Sequence, residues 1–262
     1  MNLLYWNLKS NNNLELIIAD CIQENSIDIA IFSEYENINF DILKRKLSDS
    51  FCLLESFGGC KKVKILYRNT ISLTLIREQH RYLLAKLNLE NKKYIIVGVH
   101  LPSNTCGSNS SDRKHIIRNI INDISDAEKD NIESSIVIGD MNASPFDAEM
   151  IEKDSFNSVL FKNIINSQEV VTYLECKYRR FYNPIIEYIN ETNENYGSFY
   201  YSSGNYCLYW YCFDQILVRK NLANQIHTFK YLKKIKQQDL IKKKKPNKKI
   251  SDHLPLLVNI NI

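Results

Sequence analysis

Six apolar runs in this chain stop or start on a side chain able to hold a cation or move a proton. YWN ends at Asn7, IFSE at Glu34, VGVH at His100, and VIGDMN at Asp140 and Asn142; FDQILV opens with Asp214, and SDHLPLLV with Asp252 and His253. Carboxylates and carboxamides are the oxygen donors that a hard cation such as Mg2+ takes. Histidines with carboxylate partners suit acid–base work. Asp140 and Asn142 stand at i and i+2, so on an extended chain they would face one target from the same side. Taken singly, each residue has a plainer role: Asn7 or Asp140 capping a turn, His100 a satisfied core histidine, Asp252 a cap before the last strand. The repetition of one placement over six runs points instead to strands delivering these groups to a common sheet edge.

The elements that would position them alternate without a strict βαβ rhythm. LLYWN (3–7) reads as a strand, and Asn11 to Asn13 are placed to cap a helix through about Asn25 with Leu14, Ile17, Ile18 and Cys21 on one face. IDIAIFSE (27–34) is a second strand, followed by a short helix near 41–47. Between Phe51 and His100 four β-like stretches appear: FCLLES, VKILYR, ISLTLI with YLLAKLNL, and YIIVGVH. SDRKHIIRNIINDISDAEKD (111–130) is the clearest helix, with a Ser-Asp start and isoleucines at 116, 117, 120, 121 and 124. Residues 147–197 read as short helices and a long loop, FDQILV (213–218) as a strand and LPLLVNINI (254–262) as the closing one. Many strands with grouped helices favour an α+β sandwich over a doubly wound sheet, in one domain spanning 1–262. No GxGxxG or GxxxxGK[ST] sequence occurs, which argues against dinucleotide- and nucleotide-cradling loops.

Composition narrows the setting. With 262 residues, 44% hydrophobic and 24% charged, the chain suits a soluble globular protein, and no apolar stretch approaches membrane-spanning length. No charged or apolar leader precedes the strand at Leu3, and the 7 cysteines are odd in number, scattered and free of CxxC pairs. A reducing cytoplasm is therefore the expected location, and structural zinc is not expected. The net charge of +4 is carried by one segment: Lys230 to Lys249 holds 10 lysines and one acid, Asp239, or +9, so the rest sums to −5. That block is either a solvated loop or a patch that attracts phosphate.

The ordered series Asn7, Glu34, His100, GDMN (139–142), FDQILV and SDH (251–253) resembles the endonuclease/exonuclease/phosphatase superfamily over essentially the whole chain, residues 147–205 matching poorly. Its members include deoxyribonuclease I, exonuclease III-type repair nucleases, neutral sphingomyelinases and inositol polyphosphate 5-phosphatases. The resemblance implies a four-layer α/β/β/α sandwich, deoxyribonuclease I-like, with the site at one edge of two packed sheets. It implies Glu34 as the principal ligand of Mg2+ (Mn2+ substituting), with Asn7 and Asp252 nearby. Asp140 and Asn142 would face the scissile phosphate, and Asp214 would orient His253 as base or phosphate-binding imidazolium. His100 would bind the phosphate or protonate the leaving oxygen. Repair nucleases of the exonuclease III type usually carry tyrosine at that point, so the histidine argues against an abasic-site endonuclease. In deoxyribonuclease I an acidic residue supports this histidine; the matching stretch here is Lys61, Lys62, Val63, Lys64, which has none.

The aromatic stretch Phe199, Tyr200, Tyr201, Tyr206, Tyr209, Trp210 and Tyr211 is either sandwich core or a surface on which bases stack, with Tyr209 and Trp210 as candidate contacts. Lys242, Lys243, Lys244 and Lys245 precede Asp252 closely enough to reach the site edge and touch phosphates. A nuclease with nucleic acid as substrate is the favoured expectation. The alternatives are a phosphatase or phosphodiesterase of a small anionic substrate (inositol phosphate, nucleotide or phospholipid head group), and a non-catalytic module that keeps the fold. No membrane insertion is expected.

Overall fold

The computed structural model describes residues 1–90, 92–103, 110–130, 132, 134–189, 196–203 and 207–262. In chain order the first half contains β1 (Asn2–Asn7), α1 (Glu15–Glu24), β2 (Ile29–Ser33), α2 (Phe40–Lys46), β3 (Phe51–Leu53), β4 (Val63–Arg68), β5 (Ser72–Gln79), β6 (Tyr82–Leu89), β7 (Lys92–His100), α3 (Ser110–Ala127) and β8 (Ser134–Asp140). Short elements follow: α4 (Ala148–Ile151), β9 (Ser158–Val159), α5 (Lys162–Ser167), β10 (Val170–Tyr173), β11 (Cys176–Arg179), β12 (Phe181–Tyr182), α6 (Ile185–Tyr188), β13 (Phe199–Tyr201) and β14 (Tyr209–Tyr211). The chain ends with β15 (Asp214–Val218), β16 (Ile226–Tyr231), β17 (Lys234–Ile235), β18 (Gln238–Asp239), β19 (Ile241–Lys242), β20 (Lys245–Pro246) and β21 (Leu256–Ile260).

Two mixed sheets organise these elements, one in the order β16-β21-β1-β2-β4-β3, the other β5-β6-β7-β8-β15-β12-β9. Every residue of β2 and β8 is buried, as is β1 beyond Asn2, so these strands are covered on both faces and read as continuous apolar runs. Between the sheets the backbones come close at Gly98, where a Cβ would lie 2.8 Å from Val63 Cγ1 and 3.0 Å from Ile31 Cγ2 of the facing sheet. On the outer side of the second sheet, α3 sets Ile117, Ile120 and Ile124 against Leu84, Ile95, Val97 and Val137. Each such side chain contributes roughly 1.5–3 kcal/mol when fully buried. The first sheet is covered by α1 through Ile18, Ala19, Cys21 and Ile22. The result is the α/β/β/α sandwich expected from the sequence. No helix among the described residues is long and apolar enough to cross a membrane.

Several local expectations are corrected. Asn11 to Asn13 do not cap α1; Leu14 occupies that position, its hydrocarbon side chain buried in the core and without an atom that could cap the helix. ISLTLI and YLLAKLNL are two antiparallel strands, β5 and β6. Residues 147–197 include an antiparallel hairpin, β10–β11, besides short helices. The residue before α3 and Tyr206 lie outside the described residues, as does Cys106.

Register brings the polar strand ends level. His100 on β7 and Asp214 on β15 both stand opposite Asp140 on β8. In the other sheet Asn7 stands opposite Ser33, one residue before Glu34. Gly139 allows the close approach at this end, since a Cβ there would collide with Val99 O. Gly139→Ala is expected to destabilise the fold by about 3 kcal/mol through forced backbone displacement. Chemical denaturation checks it, and wild-type stability would show that β7 and β8 have slack at this point.

Candidate active site

Asp140 is the hub. Its Oδ2 accepts a hydrogen bond from Asn7 Nδ2 at 3.2 Å and lies 3.8 Å from His100 Nε2 and 3.9 Å from His253 Nε2. The same Asn7 amide donates to Glu34 Oε1 at 3.1 Å, and Glu34 Oε1 is 3.7 Å from His100 Nε2. Residues at or beside the ends of different strands in both sheets thus meet in one network: Asn7, Glu34, His100, Asp140, Asp214 and His253. Asp140, Asp214, Asn7 and both histidines are buried, while the Glu34 side chain is 36% exposed and opens to solvent.

His253 is held from every side. Its Nδ1 pairs with Asp214 Oδ2 at 2.8 Å, which leaves Nε2 toward Asp140. Its backbone N–H donates to Ser251 Oγ at 3.0 Å, its carbonyl accepts from Trp6 Nε1 at 3.1 Å, and its ring packs 4.8 Å from the Phe199 ring. Ser251 in turn donates to Asn7 O at 2.6 Å, tying the SDH segment to the end of β1. Tyr231 donates to Asp214 O at 2.7 Å and Ser198 accepts from Asp214 N at 3.2 Å.

The electrostatics separate the two histidines. Burial pushes His253 down, but Asp214 and Asp140 outweigh it and hold the ring up at about 10, so it is an imidazolium at neutral pH. Burial dominates at His100 and, with Arg81 and His253 adding to it against Asp140, lowers it to about 4. His100 is therefore neutral. Its buried Nδ1 has no hydrogen-bond partner among the described residues, in keeping with the missing acidic partner at Lys61 to Lys64. With Nε2 facing two carboxylates, the tautomer carrying its proton on Nε2 is favoured. Burial, reinforced by Asp214 and opposed by His253, raises Asp140.

Glu34 and Asn142 both occupy the left-handed region, with φ of 47° and 45°. Surface turns such as Leu174–Glu175 and Lys243–Lys244 share this conformation, so here it marks the turns that follow β2 and β8. Asn142 also corrects the extended-chain argument. A turn sets its relation to Asp140: Asn142 N donates to Asp140 Oδ1 at 2.9 Å, and its Nδ2 donates to Leu101 O at 2.8 Å. Asp252 lies on the rim, 3.6 Å from Lys9 Nζ. Sequence reasoning does not single out Lys9 or Tyr231, and it quotes Ser251 only as the first residue of SDH, without a role. Lys9 lies two residues past the YWN motif, and that closeness is the available signal.

The donor set fits a hard divalent cation. Two carboxylates share one carboxamide, and the buried Asp214 Oδ1 has no hydrogen-bond partner among the described residues. Atoms of Asp140, Asp214 and His253 also lie within 4.8 Å of one another. The 2.8 Å pairing already engages Asp214 and His253 with each other, so Glu34, which opens to solvent, and the buried Asn7 beside it are the donors better able to take a cation.

The aromatic run forms the hairpin β13–β14 beside this network, its Phe199 bridging the His253 backbone. Tyr209 is exposed, whereas Trp210 is half-buried between Tyr196 and Tyr200. The lysine block folds into two small hairpins, β17–β18 and β19–β20, and Lys243 and Lys244 form the two-residue turn of the second. Lys245 Nζ lies 4.8 Å over the Tyr200 ring, which brings this hairpin to the aromatic one; Lys242 precedes the turn on β19 and is exposed.

No family model matches the chain, and no curated protein matches it in sequence. Solved structures match it in fold. D. rerio TDP2 complexed with a single-strand DNA product is 16% identical, with a TM-score of 0.61 over 100% of this chain and 99% of that one. The endonuclease domain of TRAS1, a telomere-specific non-LTR retrotransposon, is 11% identical, with a TM-score of 0.57 over 100% and 98%. An endonuclease/exonuclease/phosphatase family protein from Bacteroides thetaiotaomicron is 13% identical, with a TM-score of 0.61 over 98% and 96%. These likenesses establish the deoxyribonuclease I-like fold.

Proposed function

We propose that a chain with this fold and this strand-end network is a metal-dependent phosphodiester hydrolase, and that its substrate is DNA or RNA. The observation that carries the reading is the convergence of Asn7, His100 and His253 on Asp140 Oδ2, with Glu34 joined to it through Asn7 and His100 and Asp214 through His253. Glu34 and Asn7, with Asp252 at the rim, would hold Mg2+ or Mn2+, which when bound supplies Lewis-acid stabilisation of charge on the phosphate. Asp140, buried and raised, is suited to orient water and accept its proton. The His253 imidazolium, fixed by Asp214, donates from Nε2 toward a phosphate oxygen, as positioned charge in a dry site does most effectively. Neutral His100 offers an N–H on the opposite side of Asp140.

Substrate class rests on the surroundings. The structural neighbours include a DNA complex and an endonuclease domain, and the exposed Tyr209 and the lysine hairpin, both reached through the aromatic hairpin whose Phe199 bridges His253, suit bases and phosphates. Half-buried Trp210 would back the hairpin from behind. Replacing Lys242 to Lys245 by alanine is expected to weaken polynucleotide binding and to flatten the salt dependence by about 0.7–0.9 in slope for each phosphate no longer neutralised. An unchanged slope in a filter-binding titration makes the block a solvated loop.

The metal requirement is tested by removal. Hydrolysis is expected to stop in EDTA and to return with Mg2+ or Mn2+. Turnover that persists after chelation and dialysis contradicts the scheme at its base.

A further inference from the structure

The active-site row does not end at His100. β6 pairs antiparallel with β7, Tyr82 opposite Val99, so Arg81 falls level with His100, whose N–H donates to Arg81 O at 2.9 Å. The Arg81 guanidinium reaches back to His100 O at 3.3 Å. The other sheet repeats the pattern. β4 pairs antiparallel with β2, Ser33 opposite Val63, which sets Lys62 beside Glu34 in the next row. A hydrogen bond from Lys61 N to His80 O, 3.1 Å, joins the two loops. Each sheet therefore continues its row of site residues with a cation one strand farther out, and the two cations meet with Lys61 and His80 in one basic cluster.

This cluster and the lysine hairpin lie on opposite sides of the hub. In the second sheet Asp140 separates β7 and β6, with His100 and Arg81, from β15, whose Asp214 pairs with His253 beside the aromatic hairpin and Lys245. Strands are about 4.8 Å apart, so Arg81 lies roughly 10 Å from Asp140 along the row. Among the described residues the acids on this side include Glu34 itself, Glu36, which Lys62 approaches to 3.5 Å and which accepts from Ser10 Oγ at 2.7 Å, and Glu78, whose carboxylate is taken up by Gly59 N and Cys60 N. Lys61 and His80 are exposed. Burial and the neighbouring Arg81, Lys62 and Lys61 together push His80 down, which marks how closely these charges crowd.

Resting on the nuclease reading above, we infer that Lys61, Lys62 and Arg81 form a second phosphate-binding subsite for a polynucleotide strand that runs past the site in both directions and is cut internally. A monophosphate or a strand end would leave one of the two basic flanks without a partner. A strand with phosphates on both sides of the scissile bond engages both.

The test compares a single-stranded dodecamer with the dinucleotide TpT, in wild type, in the Lys61→Gln/Lys62→Gln/Arg81→Gln variant and in Lys61→Gln/His80→Gln, which alters only exposed positions. For the triple variant the dodecamer-to-dinucleotide ratio of kcat/KM is expected to fall ~10-fold or more and the salt slope on the dodecamer to fall by about 2. The double variant is expected to show part of the same loss. An unaltered ratio in both variants, or equal losses on both substrates, overturns the subsite while leaving the nuclease assignment standing. A folded wild type that cuts no polynucleotide overturns both.

Discussion

Glu34→Gln is expected to lower kcat/KM for phosphodiester hydrolysis by about 10³-fold, roughly 4 kcal/mol of barrier. Glu34 is the one carboxylate of the buried network that opens to solvent, at the point where Asn7 bridges it to Asp140. Glutamine keeps a carbonyl able to accept from Asn7, so the fold is expected to hold while the charge that would bind the cation is lost. Calorimetric titration with Mn2+ separates the effects: wild type binds and the variant binds far more weakly. A variant that keeps both affinity and turnover removes Glu34 from the mechanism.

Asp214→Asn is expected to cost about 10²–10⁴-fold, because an amide neither fixes the His253 tautomer nor stabilises its imidazolium. The pH behaviour gives the sign. His253 is raised from an ordinary 6.5 to about 10, with Asp214 the leading cause that acts against burial. In wild type the imidazolium therefore persists through neutral pH. Its contribution to stability is complete below about 6.5 and lost as pH rises toward 10. In the asparagine variant the ring titrates lower, so residual activity declines at a lower pH and Tm loses its fall between those values. A variant with the wild-type pH profile would show that Asp214 does not set the charge of His253.

The features legible in the sequence are those with a local signature. Apolar runs broken by one polar residue at the end, as in IFSE and VIGDMN, mark strands delivering side chains to an edge; register sets His100 and Asp214 level with Asp140 in one sheet and Asn7 beside Ser33 in the other, and side-chain hydrogen bonds join the two sets and His253. What stays hidden depends on tertiary contacts. Three asparagines look like a helix cap, yet burial of Leu14 moves the start of α1 past them. The β10–β11 hairpin turns at Leu174 and Glu175, both at positive φ without a glycine or asparagine to announce it. β16 escapes sequence reasoning because His227 and Lys230 mask the buried Ile226, Phe229 and Tyr231. Asn142 does not follow the two-residue pleat of an extended chain, because a turn at positive φ sets its relation to Asp140 and its amide is held by Leu101 O.

Cleavage of supercoiled plasmid, linear duplex, single-stranded DNA and RNA in Mg2+ and in Mn2+, by wild type beside Glu34→Gln, tests the central claim most directly. Metal-dependent nicking or shortening that the variant lacks is the predicted result. A folded wild-type protein that leaves all four intact in both metals would contradict the nuclease account and direct attention to small phosphoesters.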